Sequence, residues 1–149
     1  MKQPTLSHET SGLSIRLGTA EDVETVVNFS RALFEISPYS VVSTFDSQVV
    51  WDNYLASLSM PKFEFITMIL CDGDKPVGYM HCGSNKGQFS EDRYAIELGF
   101  YILPEYKSLS GVKLLLSAFH YWAKESDCKA AFVGKIKDRK IETYKMKVL

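Results

Sequence analysis

Three features of the sequence could do chemistry. The first is Glu97, in the middle of an otherwise apolar run from Tyr94 to Leu103. A carboxylate on a half-buried strand is costly unless it is paired. Burial raises its pKa towards neutrality, which makes a usable general base. The plainer reading is a carboxylate paired with a surface lysine at the edge of a cleft. The second is Lys107-Ser108-Leu109-Ser110-Gly111, a small-residue loop between a strand and a helix starting near Val112. Backbone N–H groups at a helix N-terminus attract anions, small residues allow close approach, and Lys107 adds charge. That suits a pyrophosphate, and equally suits a plainly capped helix start. Neither GxxxxGK[ST] nor GxGxxG occurs. The third is Tyr144, whose phenol could give a proton to a leaving thiolate. It could equally be a core-facing aromatic on an amphipathic helix.

Other reactive residues make no motif. His8 lies near the terminus, and His120 stands alone on a helix. His81 and Cys82 are adjacent on a strand, so they face opposite ways and cannot chelate together. No metal site is expected, and without a GxSxG elbow no hydrolase triad is expected either. Three cysteines with no CxxC pair argue against a disulfide framework and a zinc ribbon.

These residues need a scaffold, and 149 residues suit one domain. With 17 basic and 18 acidic residues the net charge is -1, so a nucleic-acid partner is not expected. No run approaches a membrane span, and the polar start resembles no signal peptide. The expectation is a cytoplasmic domain over 13–149 behind a flexible segment, 1–12. Charge is uneven: residues 135–149 hold six basic and two acidic side chains. Ile141, Tyr144 and Val148 recur there at helical spacing, predicting a basic helix over 137–147.

Leu13–Leu17 alternates as a strand. Thr19 precedes a helix with Val23, Val26, Val27, Phe29 and Leu33 on one face, ended by Ser37-Pro38. A loop with an exposed Tyr39 leads to a second helix, capped at Asp46 or Ser47 and running to Leu58. Phe63–Cys71 reads as a strand covered on both faces, and Asp72-Gly73-Asp74-Lys75 as a hairpin turn into Val77–Gly83. In the next strand Tyr94, Ile96, Leu98, Phe100 and Ile102 share one face, and Ala95, Glu97, Gly99, Tyr101 and Leu103 the other. A helix then presents Leu115, Phe119 and Trp122, and Ala130–Val133 is a short buried strand. The order β-α-α-β-β-β-α-β-α predicts an α/β fold: one mixed sheet flanked by helices, with a right-handed parallel crossover between Tyr94 and Val133.

The segment from Ala95 to Leu116 resembles the core motif of the GNAT superfamily of acetyl-CoA-dependent N-acetyltransferases. Ile102, Pro104, Glu105, Tyr106 and Lys107 match the family's V-x-P-E-Y/F-R strand end, and Leu115-Leu116 its helix-opening leucine pair. Thr19-Ala20-Glu21-Asp22 and Lys75-Pro76-Val77-Gly78-Tyr79 are similar to other family segments. The likeness covers about residues 13–147 and is strongest to divergent phage- and prophage-type members. The departures are clear. Ser110 and Val112 replace glycines of the phosphate loop, and the sequence after Tyr144 lacks the family's Gly-Phe and its final hairpin.

The resemblance implies a GNAT-like fold, with acetyl-CoA as co-substrate and no metal. Tyr101, Ile102 and Leu103 would pair with the pantetheine, and Lys107, Ser108, Leu109, Ser110, Gly111 and Val112 would hold the pyrophosphate. Glu97 would be the base and Tyr144 the acid, acting on a primary amine of a small molecule or protein. A missing hairpin would leave a strand uncovered, which predicts a homodimer. The alternative is a degenerate, non-catalytic GNAT-fold protein acting as a binding or dimerisation module.

Overall fold

The computed structural model describes residues 7–8, 12–107, 109–137 and 139–149. Among these residues seven strands form one sheet in sequence order, β1 to β7. β1 (Ser7–His8) pairs with β2 (Leu13–Leu17) across Gly12, whose φ of 70° suits a glycine. Most of the expected flexible segment 1–12 lies outside the described residues.

After β2 the chain enters α1 (Val23–Ile36) through a 3-10 turn, Ala20–Asp22. Asp22 locks this entry. It accepts both Arg16 guanidinium hydrogen bonds at 2.7 Å and the Thr19 N–H at 2.8 Å. The guanidinium holds its carboxyl below the usual range. The expected Pro38–Thr44 loop contains a short helix, α2 (Tyr39–Val42). Asp46 caps α3 (Ser47–Ser57) by accepting from the N–H groups of Gln48 and Val49. Only Tyr54 of α3 is buried, so its other apolar residues form no core stripe.

β3 (Phe65–Asp72) and β4 (Lys75–Lys86) form the expected hairpin, turning at Gly73 with φ 59°. β5 (Arg93–Ile102) continues the antiparallel run. The 3-10 turn Pro104–Tyr106 and α4 (Leu109–Glu125) then cross to β6 (Cys128–Lys137), which lies parallel to β5. Leu115, Phe119 and Trp122 bury the face of α4 against Met68, Leu70, Met80, Cys82 and Ala131. On the opposite side of the sheet, Val23, Val26, Phe29 and Tyr54 pack against Ile69, Cys71 and Tyr79. The fold is therefore a mixed sheet with helices on both faces.

The chain end corrects the sequence reading. Residues Lys140–Val148 are a strand, β7, pairing antiparallel with β6. The apolar spacing of Ile141, Tyr144 and Val148 is helical, but Ile141, Thr143, Tyr144 and Val148 are β-branched or aromatic and favour a strand, and the pairing with β6 skips Glu142. Arg139, at φ 58°, makes the turn. The C-terminal hairpin expected to be missing is thus present. With it goes the reason for expecting a homodimer, since β6 is covered. The new edge strand bears exposed Lys145 and Lys147, which discourage edge pairing.

Trp122 is 1% exposed and its indole N–H donates to the Lys62 carbonyl at 2.7 Å. Trp122→Phe leaves that carbonyl unpaired and is expected to cost about 1–3 kcal/mol in urea unfolding. Trp51→Phe, on the outer face of α3, should stay within about 0.5 kcal/mol. Equal losses at both positions would contradict this packing.

Candidate active site

The site begins where two strands part. β5 and β6 pair from Arg93↔Cys128 to Ile96↔Phe132, and among the described residues the ladder goes no further. β5 runs on to Ile102 beside β4, and β6 runs on to Lys137 beside β7. From Glu97 onward the two strands therefore bound a notch at their carboxyl ends, where open α/β sheets bind ligands.

A β-bulge sits at the notch. Cys82 opposes Glu97 and His81 opposes Gly99, so Leu98 is the extra residue. This corrects the expected faces of the strand. Ala95, Glu97, Phe100 and Ile102 share the register face of Ser84, Cys82, Met80 and Gly78, towards α4. Ile96, Gly99 and Tyr101 lie on the α1 side. Gly99 is closely packed: a Cβ there would come within 3.2 Å of the Tyr79 hydroxyl.

Glu97 stands at the throat of the notch, and its carboxylate accepts a hydrogen bond from the Gly134 N–H on β6. Burial pushes its pKa up to about 6, against a smaller lowering by that hydrogen bond. Tyr144 lies opposite Gly134 on β7 and stacks on Phe132, with ring centroids 5.7 Å apart and planes 17° apart. Its phenol pKa is raised, first by burial and then by the charge of Glu97. The structure thus brings Glu97 and Tyr144 into one electrostatic neighbourhood, though Tyr144 arrives on a strand and not on the expected helix.

The other end of the notch meets α4. Leu109, Ser110, Gly111 and Val112 form its first turn, with no acidic residue there to oppose an anion. Gly111 packs closely, since a Cβ would lie 3.2 Å from the Tyr106 carbonyl oxygen. Lys107 holds its ammonium 5.9 Å from the centre of the Tyr101 ring. Ser108 lies outside the described residues. Of the three expected strand positions, Tyr101 and Ile102 are on β5, whereas the Leu103 N–H is already donated to the Val77 carbonyl at 2.8 Å.

Sequence reasoning missed Leu98, Phe132 and Gly134. The Val133-Gly134 step was the available signal, since a glycine in a strand often marks close backbone approach. His81 is packed between aromatic neighbours on the α1 side of the sheet: its Nδ1 is 2.7 Å from Thr67 Oγ1, and the Tyr79 ring meets it edge-on at 4.8 Å. Burial lowers its pKa to about 4. No group of three or more metal-ligating side chains forms among the described residues, and no helix there is long and apolar enough to cross a membrane.

No family model and no curated protein matches the sequence. Solved structures do match in shape. A GNAT family acetyltransferase from Staphylococcus aureus superposes with a TM-score of 0.65 at 16% identity, over 88% of this chain and 92% of its own. A possible acetyltransferase from Clostridium difficile gives 0.68 at 14%, over 85% and 81%. The aminoglycoside N-acetyltransferase AAC(6')-Iy, in complex with a CoA bisubstrate analogue, gives 0.67 at 13%, over 87% and 80%. The fold is that of the GNAT acetyltransferases. In this GNAT fold the β5–β6 notch and the start of α4 are the two ends of the candidate site.

The buried His81 makes a pH prediction. Its folded pKa of about 4 lies below the unfolded value of 6.5. Its stabilising contribution is complete above pH 6.5 and is lost as pH falls towards 4, by up to about 3 kcal/mol. Glu97, with its raised pKa, acts in the opposite direction over that range. Denaturation of wild type and His81→Gln at pH 7 and 4.5 isolates the histidine. Wild type should lose more stability than the variant on acidification, and equal losses would contradict a neutral buried imidazole.

Proposed function

We propose that this chain is an N-acetyltransferase that moves the acetyl group of acetyl-CoA to a primary amine. The observation that carries the reading is Glu97: a carboxylate with a pKa near 6, at the point where β5 and β6 part. The GNAT fold supports it, as does a long helix starting at the other end of the notch with no acidic residue in its first turn.

In this reading the pantetheine of acetyl-CoA lies along the β5 edge at Tyr101 and Ile102, with Leu103 as an apolar neighbour. The pyrophosphate meets the amides of Ser108 to Val112, and Lys107 adds a positive charge. The amine nitrogen bonds to the acetyl carbon, and the carbon–sulfur bond breaks. Glu97 takes the proton released by the amine, directly or through water. A β5 N–H beside the bulge stabilises the developing oxyanion. Tyr144 gives its phenolic proton to the thiolate, and its raised pKa keeps that proton in place at neutral pH. The acceptor reaches the notch past Tyr39 and the 83–92 segment. Aminoglycoside acetyltransferases among the structural neighbours favour an amine as acceptor.

Activity should rise with pH through about 6, as Glu97 loses its proton. Glu97→Gln should lower kcat by roughly 10²–10⁴ and leave acetyl-CoA affinity unchanged. Full turnover by that variant across neutral pH would remove Glu97 as the base. Tyr144→Phe should slow release of the thiol, read as at least a tenfold fall in kcat with KM for acetyl-CoA unchanged. An unaltered kcat would remove Tyr144 as the acid.

A further inference from the structure

The two faces of the β6–β7 hairpin differ in chemistry. Towards α4, Ala131 and Val133 stand opposite Lys147 and Lys145. On the other face, Ala130, Phe132 and Gly134 stand opposite Val148, Met146 and Tyr144, so that stretch holds no charge. Leu98, the bulged residue of β5, joins it: a Cβ on its neighbour Gly83 would lie 2.7 Å from the Leu98 side chain. Leu98 is 56% exposed, Tyr144 54%, Met146 59% and Val148 74%. Phe132 is sandwiched, with Tyr144 stacked on it and Tyr94 edge-on at 6.2 Å. The helices α1 and α3 pack over the Ile69, Cys71 and Tyr79 part of the sheet.

Resting on the transferase reading above, we propose that the acceptor is a primary amine borne on an aromatic or similarly flat apolar body. It lies on the surface made by Leu98, Phe132, Tyr144 and Met146. Contiguous exposed apolar residues beside a polar group mark a binding surface. Flat rings gain most from a preset aromatic wall. Charge fixes the rest of the acceptor. Glu97 faces the α4 side of β5, so one ammonium meets it through the notch that opens beyond Ile96↔Phe132, where Leu98 and Phe132 end the surface. A polycation finds no second carboxylate over 130–134 and 144–148. A second copy of the chain is a poorer occupant, because four partly exposed side chains fall short of the roughly 800 Å² per partner of a stable interface.

The test measures acetyl transfer to 2-phenylethylamine, ethanolamine, spermidine and an aminoglycoside, in wild type and Met146→Lys. The melting shift given by acetyl-CoA alone and the sedimentation coefficient are recorded for both proteins. The expected result is kcat/KM at least tenfold higher for 2-phenylethylamine than for the other three. Met146→Lys should raise its KM at least tenfold, with the same acetyl-CoA shift as wild type. Equal or better use of spermidine or the aminoglycoside overturns the acceptor class and leaves the transferase reading standing. So does an acetyl-CoA shift without turnover of the arylalkylamine. A wild-type dimer that Met146→Lys dissociates assigns the surface to self-association and also overturns it. Absence of any acetyl-CoA shift removes the transferase reading itself, and this proposal with it.

Discussion

The parallel ladder between β5 and β6 stops after Ile96↔Phe132, and the candidate site follows from that stop. Parallel strands are held side by side by their crossover, here α4, whose Leu115, Phe119 and Trp122 are fully buried against the sheet. Beyond Ile96 each strand keeps its antiparallel partner on the outer side, β4 for β5 and β7 for β6. Two well-paired hairpins therefore diverge, and the space between them needs no helix or loop to hold it open. The bulge at Leu98 adds local twist to β5 at the same point. Placed there, Glu97 is buried enough to raise its pKa, yet stays within reach of Gly134 across the gap.

That constraint links the remaining features. The crossover that makes β5 and β6 parallel also brings the start of α4 to the carboxyl end of β5, so one connection sets both ends of the notch. The β6–β7 hairpin sets a third side. Its alternation sends lysines to one face and Phe132, Tyr144 and Met146 to the other, so a charged and an apolar surface share two strands. On the α1 side Tyr79, hydrogen-bonded to Ser30 at 3.4 Å, packs closely against Gly99.

Much of this was legible in the sequence. Turn chemistry at Gly73, the Thr19–Asp22 entry to α1, the cap at Asp46 and the apolar spacing of α4 are local signals, and each produced the element it implied. Glu97 stood out because a carboxylate on an apolar strand has few physical explanations. The Leu98 bulge was not legible, because the pairing partner, and not the strand's own alternation, decides where an extra residue sits. β7 did not read as a strand because Ile141 and Tyr144, three residues apart, break a period of two; the pairing with β6 skips Glu142 between them, and only the partner strand decides that. Tyr144 therefore kept its expected neighbourhood while changing its element.

The central claim is that the notch between β5 and β6, with the first turn of α4, receives acetyl-CoA. Amide hydrogen exchange with and without acetyl-CoA tests it most directly, with ATP as the control nucleotide. The account predicts slowed exchange confined to the carboxyl half of β5, the segment through Val112 and the facing part of β6, with no change from ATP. Protection elsewhere on the sheet, or the same protection by ATP, would contradict it.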